Sequence, residues 1–284
     1  MNRVTYPAKT DLLRKSAELR LKMIATHRAA GAGHLGSSLS IVEILAVLFH
    51  AYFRWNSEGE NPNWGDRFVL SKGHAALGLY CVLDEVGKLG ALDLKRFGQN
   101  GSPLEPHPNE AAVPTVHAST GSLGQGLSIG VGLALGSRLQ MRSDRTFVVV
   151  GDGELNEGQI WEAMRSAAHL RLSNFILVLD DNGMQQDGPT PDILPVGDAV
   201  TAFEGMGWFC AAADGHDTES LTQALDTVLG DDVDRPKLIH ATTVKGKGIE
   251  ELEGKTESHY PPPMSDSDYA LLAYMLGREG LRDF

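Results

Sequence analysis

Apolar residues recur along the chain in two kinds of pattern. Spacings of three and four residues predict helices over five segments: 10–29, 75–88, 125–139, 158–170 and 218–229. Short apolar runs bounded by turn residues predict strands over another five: 66–70, 147–150, 175–179, 208–213 and 237–243. The alternation of the two kinds is typical of an α/β fold, a doubly wound and mostly parallel sheet with helices on both faces.

Three segments lie outside this alternation. A further helix is predicted to begin near Ser38 or Ser40, and residues 266–281 predict a C-terminal helix on the surface. Residues 101–124 are rich in Gly, Pro, Ser and His, and an ordered loop of this length in a compact protein is usually functional. The chain has no internal repeat and no low-complexity linker, so we expect residues 1–284 to form a single domain.

Composition narrows the class of protein. Of the 284 residues, 42% are hydrophobic and 22% are charged, as in ordinary soluble globular proteins. The net charge of −12 argues against nucleic acid or an anionic membrane as the main partner. No apolar stretch approaches the ~18 residues of a membrane span, and the N-terminus lacks the apolar core of a signal peptide. Cys81 and Cys210 provide neither a disulfide framework nor a metal-ligand spacing, so we expect a cytoplasmic location.

The segment GAGHLG at residues 31–36 has the glycine spacing of a dinucleotide-binding turn. That turn must follow a strand and open the helix of a βαβ unit. Here it follows a long predicted helix instead, so we do not expect a nicotinamide site.

A stronger candidate site follows two neighbouring strands. Gly151-Asp152-Gly153 comes directly after the strand at 147–150, and Asn182 follows the strand at 175–179. Open α/β sheets bind ligands at the carboxyl ends of such strands, and glycine-rich turns let a diphosphate approach the backbone. Carboxylate and amide oxygens suit Mg²⁺, which takes few ligands from protein and the rest from phosphate and water. A helix cap at Asp152 and an Asx turn at Asn182 would explain each residue alone, but the pair favours a metal–diphosphate anchor.

Short motifs rich in glycine and histidine accompany this anchor along the chain. Around the anchor they are 151–158 (GDGELNEG), 161–163 (WEA) and 181–182 (DN). Elsewhere they are 33–36 (GHLG), 71–75 (SKGHA), 120–126 (TGSLGQG), 214–217 (DGHD) and 245–248 (KGKG). Their identity and order resemble the transketolase family over about residues 10–265. The resemblance implies the thiamine diphosphate-binding fold.

The resemblance also implies a site for thiamine diphosphate and a divalent cation. Asp152, Asn182 and the main-chain carbonyl of Met184 would coordinate Mg²⁺, or Ca²⁺ or Mn²⁺ in its place. Cofactor contacts would come from several motifs: His74, Gly121, Ser122, Leu123, Gly151, Asp152, Gly153, Glu157, Asn182 and His259. Glu157 would lie at a subunit boundary, where the family has a carboxylate.

By the same resemblance, four histidines would line the cavity above the reactive carbon of the cofactor: His34, His74, His107 and His259. Transfer of a two-carbon unit from a ketose to an aldose requires hydroxyl protons to be removed and returned, which imidazole can do near neutral pH. The cofactor supplies the electron sink. His259 departs from the family pattern, in which glycine follows this histidine, because Tyr260 and Pro261 follow it here.

The chain matches only the first of the three domains of a transketolase. The family's second domain, which binds the aminopyrimidine ring and supplies the glutamate that activates it, has no counterpart in the few residues after His259. The arginines that hold the sugar phosphate also belong to the absent part. We therefore expect the N-terminal subunit of a split transketolase, active on sugar phosphates only with a C-terminal subunit, in an α2β2 heterotetramer.

Related enzymes share parts of the pattern. The α chain of 2-oxoacid dehydrogenases also combines GDG with Asn, but the GHLG, SKGHA and TGSLGQG motifs favour transketolase. Deoxyxylulose-phosphate synthase shares GDG and KGKG but is a single long chain. A split transketolase for an unusual sugar, such as a sulfo-sugar or a natural-product precursor, stays open. An inactive scaffold would be expected to lose Asp152, Asn182 or the cavity histidines, all of which are present.

Overall fold

The computed structural model describes residues 9–56 and 65–279. Within these residues lies a five-stranded parallel sheet with the order β1-β2-β3-β5-β4. Its strands are β1 (Arg67–Leu70), β2 (Thr146–Gly151), β3 (Phe175–Asp181), β4 (Phe209–Asp214) and β5 (Lys237–Thr242). Each begins and ends within two residues of its predicted bounds, and the predicted α/β class is confirmed.

Helices connect and flank the strands in the described part of the chain. The α-helices are α1 (Lys9–Ala30), α2 (Leu35–Leu39), α3 (Val42–Val47), α4 (Ala76–Glu85), α5 (Gln125–Leu139), α6 (Gly158–His169), α7 (Thr190–Ile193), α8 (Ala199–Gly205), α9 (Thr218–Leu229) and α10 (Asp266–Glu279). A π-helical turn covers Leu48–Tyr52, and 3-10 turns cover Gly73–Ala75, Leu94–Arg96, Asp152–Asn156 and Thr256–His259.

Strand residues alternate between two apolar layers, one on each face of the sheet. In β2, Phe147 and Val149 belong to one layer, whereas Val148 and Val150 belong to the other. The alternation follows from the two-residue repeat of a strand, and a strand buried on both faces shows a continuous apolar run. Helices α1, α3, α4 and α9 cover the first face, and α5, α6 and α8 cover the second. The strand ends are therefore left for binding.

The path of the chain explains which helix covers which face. The connections β2-α6-β3 and β3-α8-β4 run in one direction across the sheet and have their helices on the same face. The return from β4 to β5 runs in the opposite direction, and α9 lies on the other face, as right-handed crossovers require. This is the doubly wound arrangement that the alternating pattern predicts.

The predicted helix near Ser38 and Ser40 is divided in two by a break at residues 40–41. The Ser40 hydroxyl donates to the Ser37 carbonyl at 3.1 Å and to Asp180 at 2.8 Å. Hydrogen bonds from serine to the backbone compete with a continuous helix. The prediction of one helix here was wrong because the partner of Ser40 is distant in sequence.

Other predictions differ less from the structure. Helices α7 and α8, of four and seven residues, are too short to show a periodic pattern and were missed. Residues 101–124 form a loop without helix or strand, and the turn at 31–36 follows α1 rather than a strand, as predicted. Helix α10 lies on the surface against α1, while residues 280–281 of its predicted span lie outside the described residues. None of the described helices is both long and apolar enough to cross a membrane.

Candidate active site

A cavity of about 310 Å³ opens at the carboxyl ends of β2 and β3. Most of the predicted site residues line it: His34, His74, His107, Gly121, Leu123, Gly151, Asp152, Gly153, Asn182, Met184 and His259. These residues come from most of the motifs noted in the sequence. The parallel sheet brings them together because its strands all end at the same edge.

Two predicted site residues lie outside this lining. Ser122 and Glu157 are both exposed. Glu157 directly precedes α6, but its side chain makes no capping bond to that helix. Contact with a second subunit requires such exposure, and that role for Glu157 stays a prediction.

Asp152 follows the last residue of β2, and only 5% of its surface is exposed. Its Oδ2 accepts a hydrogen bond of 2.6 Å from the Thr190 hydroxyl. Burial, helped by the nearby carboxylates of Asp180 and Asp181, raises the pKa of the Asp152 carboxyl to about 6. A cation at this carboxylate would favour its charged form, so the residue fits a divalent metal.

The Asn182 amide is oriented by two hydrogen bonds. Its Nδ2 donates to Asp180 at 3.1 Å, and its Oδ1 accepts from the Met184 N–H at 3.1 Å. Among the described residues, no group of three or more His, Cys, Asp or Glu side chains is placed to hold a metal. A cation here would instead use the Asp152 carboxylate, the Asn182 amide oxygen and the Met184 carbonyl, which are hard donors of the kind that Mg²⁺ takes.

A buried ion pair joins the ends of β1 and β3. The Lys72 ammonium contacts the Asp180 carboxylate, and the two side chains are 1% and 0% exposed. Asp180 also accepts hydrogen bonds from Ser40 and Thr243. Burial opposes the charge of Asp180, but Lys72 and these hydroxyls keep its pKa below the usual range. Sequence reasoning assigned no role to the pair, because neither residue type signals burial.

Glu154 ties three elements together at the same end of the sheet. One of its carboxylate oxygens accepts from the Ser71 hydroxyl at 2.6 Å and the Gly124 N–H at 2.8 Å. The other accepts from the Gly151 N–H at 2.9 Å. Burial raises the pKa of Glu154, although these hydrogen bonds act against the rise. The available signal for this residue was a carboxylate inside a glycine-rich motif, and sequence reasoning gave it no role.

The four predicted histidines form a cluster around His34. The ring centroids of His74, His107 and His259 lie 5.4, 5.6 and 4.9 Å from that of His34. Burial, together with neighbouring cationic groups, lowers the pKa of His34 and of His259 to about 4 and that of His74 well below its ordinary value. These three imidazoles are therefore neutral at pH 7, with one ring nitrogen able to accept a proton.

Lys245 brings a positive charge into the cavity. Its Nζ donates to the Gln185 carbonyl at 2.9 Å. Burial and the charge of Lys72 lower the pKa of Lys245 to about 8, so most of it is protonated at pH 7. The buried Nε2 of Gln185 makes no hydrogen bond within the described chain. A cation beside an unpaired donor suits an anionic group such as a diphosphate.

Gly121 lets the loop at 101–124 pack tightly against His107. Its φ is +144°, in a region that other residues rarely adopt. A β-carbon at this position would lie 2.8 Å from the His107 ring. Glycine is therefore required at 121 for the loop to reach the cavity in this form.

Known protein families provide an independent comparison. Residues 14–284 match the family described as transketolase, thiamine diphosphate binding domain. The chain belongs to the transketolase family. This assigns it a thiamine diphosphate-binding domain and favours transketolase over the α chain of 2-oxoacid dehydrogenases.

The curated relatives of this transketolase chain include proteins of two lengths. Human transketolase is 39% identical over 245 residues, which are 86% of this chain and 38% of that protein. The chain therefore spans little more than a third of the length of such relatives. The 6-deoxy-6-sulfo-D-fructose transketolase subunit SqwG of Clostridium sp. (strain MSTE9) is 36% identical, covering 88% of this chain and 90% of that subunit. A subunit of the apulose-4-phosphate transketolase of Actinobacillus succinogenes is also 36% identical, covering 90% of this chain and 92% of that subunit.

Solved transketolase structures share the fold. The transketolase from Leishmania mexicana superposes with a TM-score of 0.85 at 29% identity, covering 97% of this chain and 42% of that chain. The transketolase from Campylobacter jejuni superposes with a TM-score of 0.83 at 31% identity, covering 94% and 43%. The predicted family fold is confirmed.

Proposed function

We propose that this chain is the diphosphate-binding subunit of a two-subunit transketolase. It transfers a two-carbon ketol unit from a ketose or ketose phosphate to an aldose or aldose phosphate. The observation that supports this reaction is the single cavity that joins Asp152 and Asn182 to the histidines around His34. Hard metal donors beside neutral imidazoles are what anchoring a diphosphate and moving hydroxyl protons require.

The cavity residues divide into two sets in this proposal. Asp152, Asn182 and the Met184 carbonyl hold Mg²⁺, or Ca²⁺ or Mn²⁺, against the diphosphate. The other predicted cofactor contacts are His74, Gly121, Ser122, Leu123, Gly151, Gly153, Glu157 and His259. Bound thiamine diphosphate supplies the electron sink for breaking and forming the carbon–carbon bond.

The histidines handle the substrate's hydroxyl protons. His34 and His259 are neutral at pH 7 because their pKa values lie at about 4. A neutral imidazole accepts a hydrogen bond or a proton at one nitrogen and donates at the other. His74 and His107 complete the ring of such groups around the same cavity.

A partner subunit supplies the pyrimidine-binding domain in this proposal. Support comes from two relatives that are themselves called subunits and that match this chain over about nine-tenths of their length. We propose an α2β2 heterotetramer, with the outer face of α5 as one contact. That face carries Ser128 and Gly132, both exposed, and ends beside Leu139, which is 73% exposed. A cytoplasmic location accords with Cys81 and Cys210, which are both free thiols.

The donor sugar has a second candidate. The relatives of similar length are named for 6-deoxy-6-sulfo-D-fructose and apulose 4-phosphate, so a split transketolase for an unusual sugar is the alternative to the pentose phosphates. Tyr260, at the position where the family usually has glycine, lines the cavity and accords with an altered substrate.

Co-expression tests the reaction and the split arrangement together. The chain is purified alone and with the C-terminal subunit encoded beside it, and both samples receive Mg²⁺ and thiamine diphosphate. We expect ketol transfer from xylulose 5-phosphate to ribose 5-phosphate, or from a sulfo-sugar or apulose 4-phosphate donor, only when both subunits are present. Full activity of the chain alone would show that the split arrangement is wrong, and no activity with any donor would contradict the proposed reaction.

Substitution of Asp152 tests the metal assignment in the same complex. Asp152→Ala removes the one carboxylate of the donor set, and we expect metal-dependent binding of thiamine diphosphate to fall by at least tenfold in calorimetric titrations. Circular dichroism should show an unchanged fold. Asp192→Ala, at an exposed position on α7, is the matched control and should bind as the wild type does. Retained binding by Asp152→Ala would count against the assignment.

A further inference from the structure

Tyr260 contacts the central histidine of the cavity although sequence reasoning gave it no role. Its hydroxyl lies 2.5 Å from Nε2 of His34, and its ring centroid lies 4.4 Å from that of His34. The ring also packs edge-on against His259, with centroids 4.7 Å apart. Tyr260 lines the cavity, yet 62% of its surface is exposed. It therefore lies between His34 and the solvent-facing side of the cavity.

His34 has no other route to a ligand through its ring nitrogens. Its Nδ1 is buried and makes no hydrogen bond within the described chain. Its Nε2 is the nitrogen that contacts Tyr260. A sugar in the cavity can therefore reach the polar edge of His34 only where the Tyr260 hydroxyl already is.

The direction of the hydrogen bond follows from the chemistry of the two groups. His34 is faced by His74, His107, His259 and Lys245, and burial with these neighbours leaves it neutral at pH 7. The bare nitrogen of a neutral imidazole is a strong acceptor, whereas a phenol oxygen shares its lone pairs with the ring and is the better donor. The Tyr260 O–H therefore donates to Nε2, and the His34 proton is on Nδ1.

We propose that Tyr260 is a specificity-determining residue whose oxygen accepts a hydrogen bond from a substrate hydroxyl while its own proton is held by His34. A tyrosine that already donates can only accept from a ligand, so this position selects a hydroxylated carbon over a deoxygenated one. The inference rests on the proposed function, since it concerns the ketose of that reaction. The hydroxyl concerned lies beyond C3, because C3 carries the bond that ketol transfer breaks.

The first measurement uses the full chain without partner or cofactor. Imidazole ¹⁵N spectra, assigned with His34→Gln, should show a protonated Nδ1 and an accepting Nε2 for His34. Tyr260→Phe keeps the aromatic ring and loses the hydroxyl, so the Nε2 signal should shift and the tautomer preference should weaken. Tyr269→Phe is the matched control, because its ring lies against Arg28 on α10 and makes the same chemical change elsewhere. An unshifted His34 in Tyr260→Phe would overturn the hydrogen bond and the proposal.

The second measurement uses the two-subunit enzyme. Its kcat/KM is compared for a ketose donor and for analogues deoxygenated at one carbon beyond C3 at a time. Tyr260→Phe should lower kcat/KM for the full ketose about three- to tenfold and leave one deoxy analogue unchanged, as expected for one lost neutral hydrogen bond. Equal losses for every donor would overturn the substrate contact. If the wild-type complex transfers no ketol unit, the proposed function fails and the substrate contact with it, while the ¹⁵N result still decides whether Tyr260 bonds to His34.

Discussion

At the scale of single residues, the cavity depends on imidazoles that stay uncharged. His34, His74 and His259 are buried beside one another and beside Lys245, so protonating any of them places a positive charge near others. The free-energy cost of that charge is what lowers their pKa values. The same arrangement that keeps a proton acceptor available at neutral pH therefore makes the folded chain sensitive to acid.

The sign of this sensitivity can be tested. His34 has an ordinary pKa of 6.5 when unfolded and about 4 when folded, so between these values only the unfolded chain binds the proton. Stability is therefore present above pH 6.5 and is lost as the pH falls towards 4, by up to about 3 kcal/mol for this histidine. Urea unfolding at pH 7 and pH 5 should show a smaller loss for His34→Gln than for the wild type.

A matched variant separates the cluster from histidine content in general. His169 is exposed on α6, and His169→Gln should keep the pH dependence of the wild type. If His34→Gln and His169→Gln show the same loss between pH 7 and pH 5, the cluster does not account for the acid sensitivity.

At the scale of elements, the ends of β1, β2 and α5 are held together by one side chain. Glu154 accepts hydrogen bonds from Ser71, Gly124 and Gly151, which belong to these three regions. The turns that follow β1 and β2 carry His74, Asp152 and Gly153, so the position of the cavity wall depends on Glu154. Loops around a site are precise only where such bonds support them.

Glu154→Gln tests this support. The amide has one oxygen and one NH₂ group, so a donor must face either the Gly151 N–H or the pair of donors at Ser71 and Gly124. We expect the free energy of unfolding in urea to fall by about 1–3 kcal/mol, the cost of leaving a buried donor unsatisfied. Hydrogen exchange at the Gly124 and Gly151 amides should speed up. Glu162→Gln, exposed on α6, should change neither quantity, and an equal effect there would contradict the role of Glu154.

At the scale of the whole molecule, the helices bury both faces of the sheet, yet one helix keeps an open outer surface. A β-carbon added at Gly132 or Gly136 of α5 would meet no atom within 4 Å. Leu139 and Met141, at the end of the same helix, are 73% and 94% exposed. Apolar exposure next to a groove of glycines is expected where another chain packs closely, which accords with the proposed subunit contact.

Gly132→Arg tests that contact without disturbing the fold. Arginine is a better helix former than glycine by about 0.5–1 kcal/mol, so the isolated chain should become slightly more stable. Association with the C-terminal subunit, measured by light scattering after size exclusion, should weaken at least tenfold because the side chain fills the surface. Gly205→Arg on α8, another exposed helical glycine with no atom within 4 Å, should leave association unchanged. Unchanged association of Gly132→Arg would place the contact elsewhere.

Sequence reasoning succeeded where the deciding interactions are local. Strand bounds follow from apolar runs, and α5 and α9 begin and end at the predicted residues because their periodicity spans several turns. It failed for the helix broken at residues 40–41, because Ser40 bonds to Asp180 across 140 positions. It also failed for α7 and α8, which are set by the path of the chain over the sheet more than by their own short patterns.

The sequence by itself determined the α/β class, the transketolase family and the oxygen ligands Asp152 and Asn182, because motif residues and strand ends can be recognised along one dimension. Only the tertiary structure decided which buried groups face each other. Lys72 meets Asp180 across 108 positions, and His34 meets Tyr260 across 226. Such partners are chosen by where strands end in the sheet, and the charge state and hydrogen bonding of each residue depend on that neighbour more than on its own type.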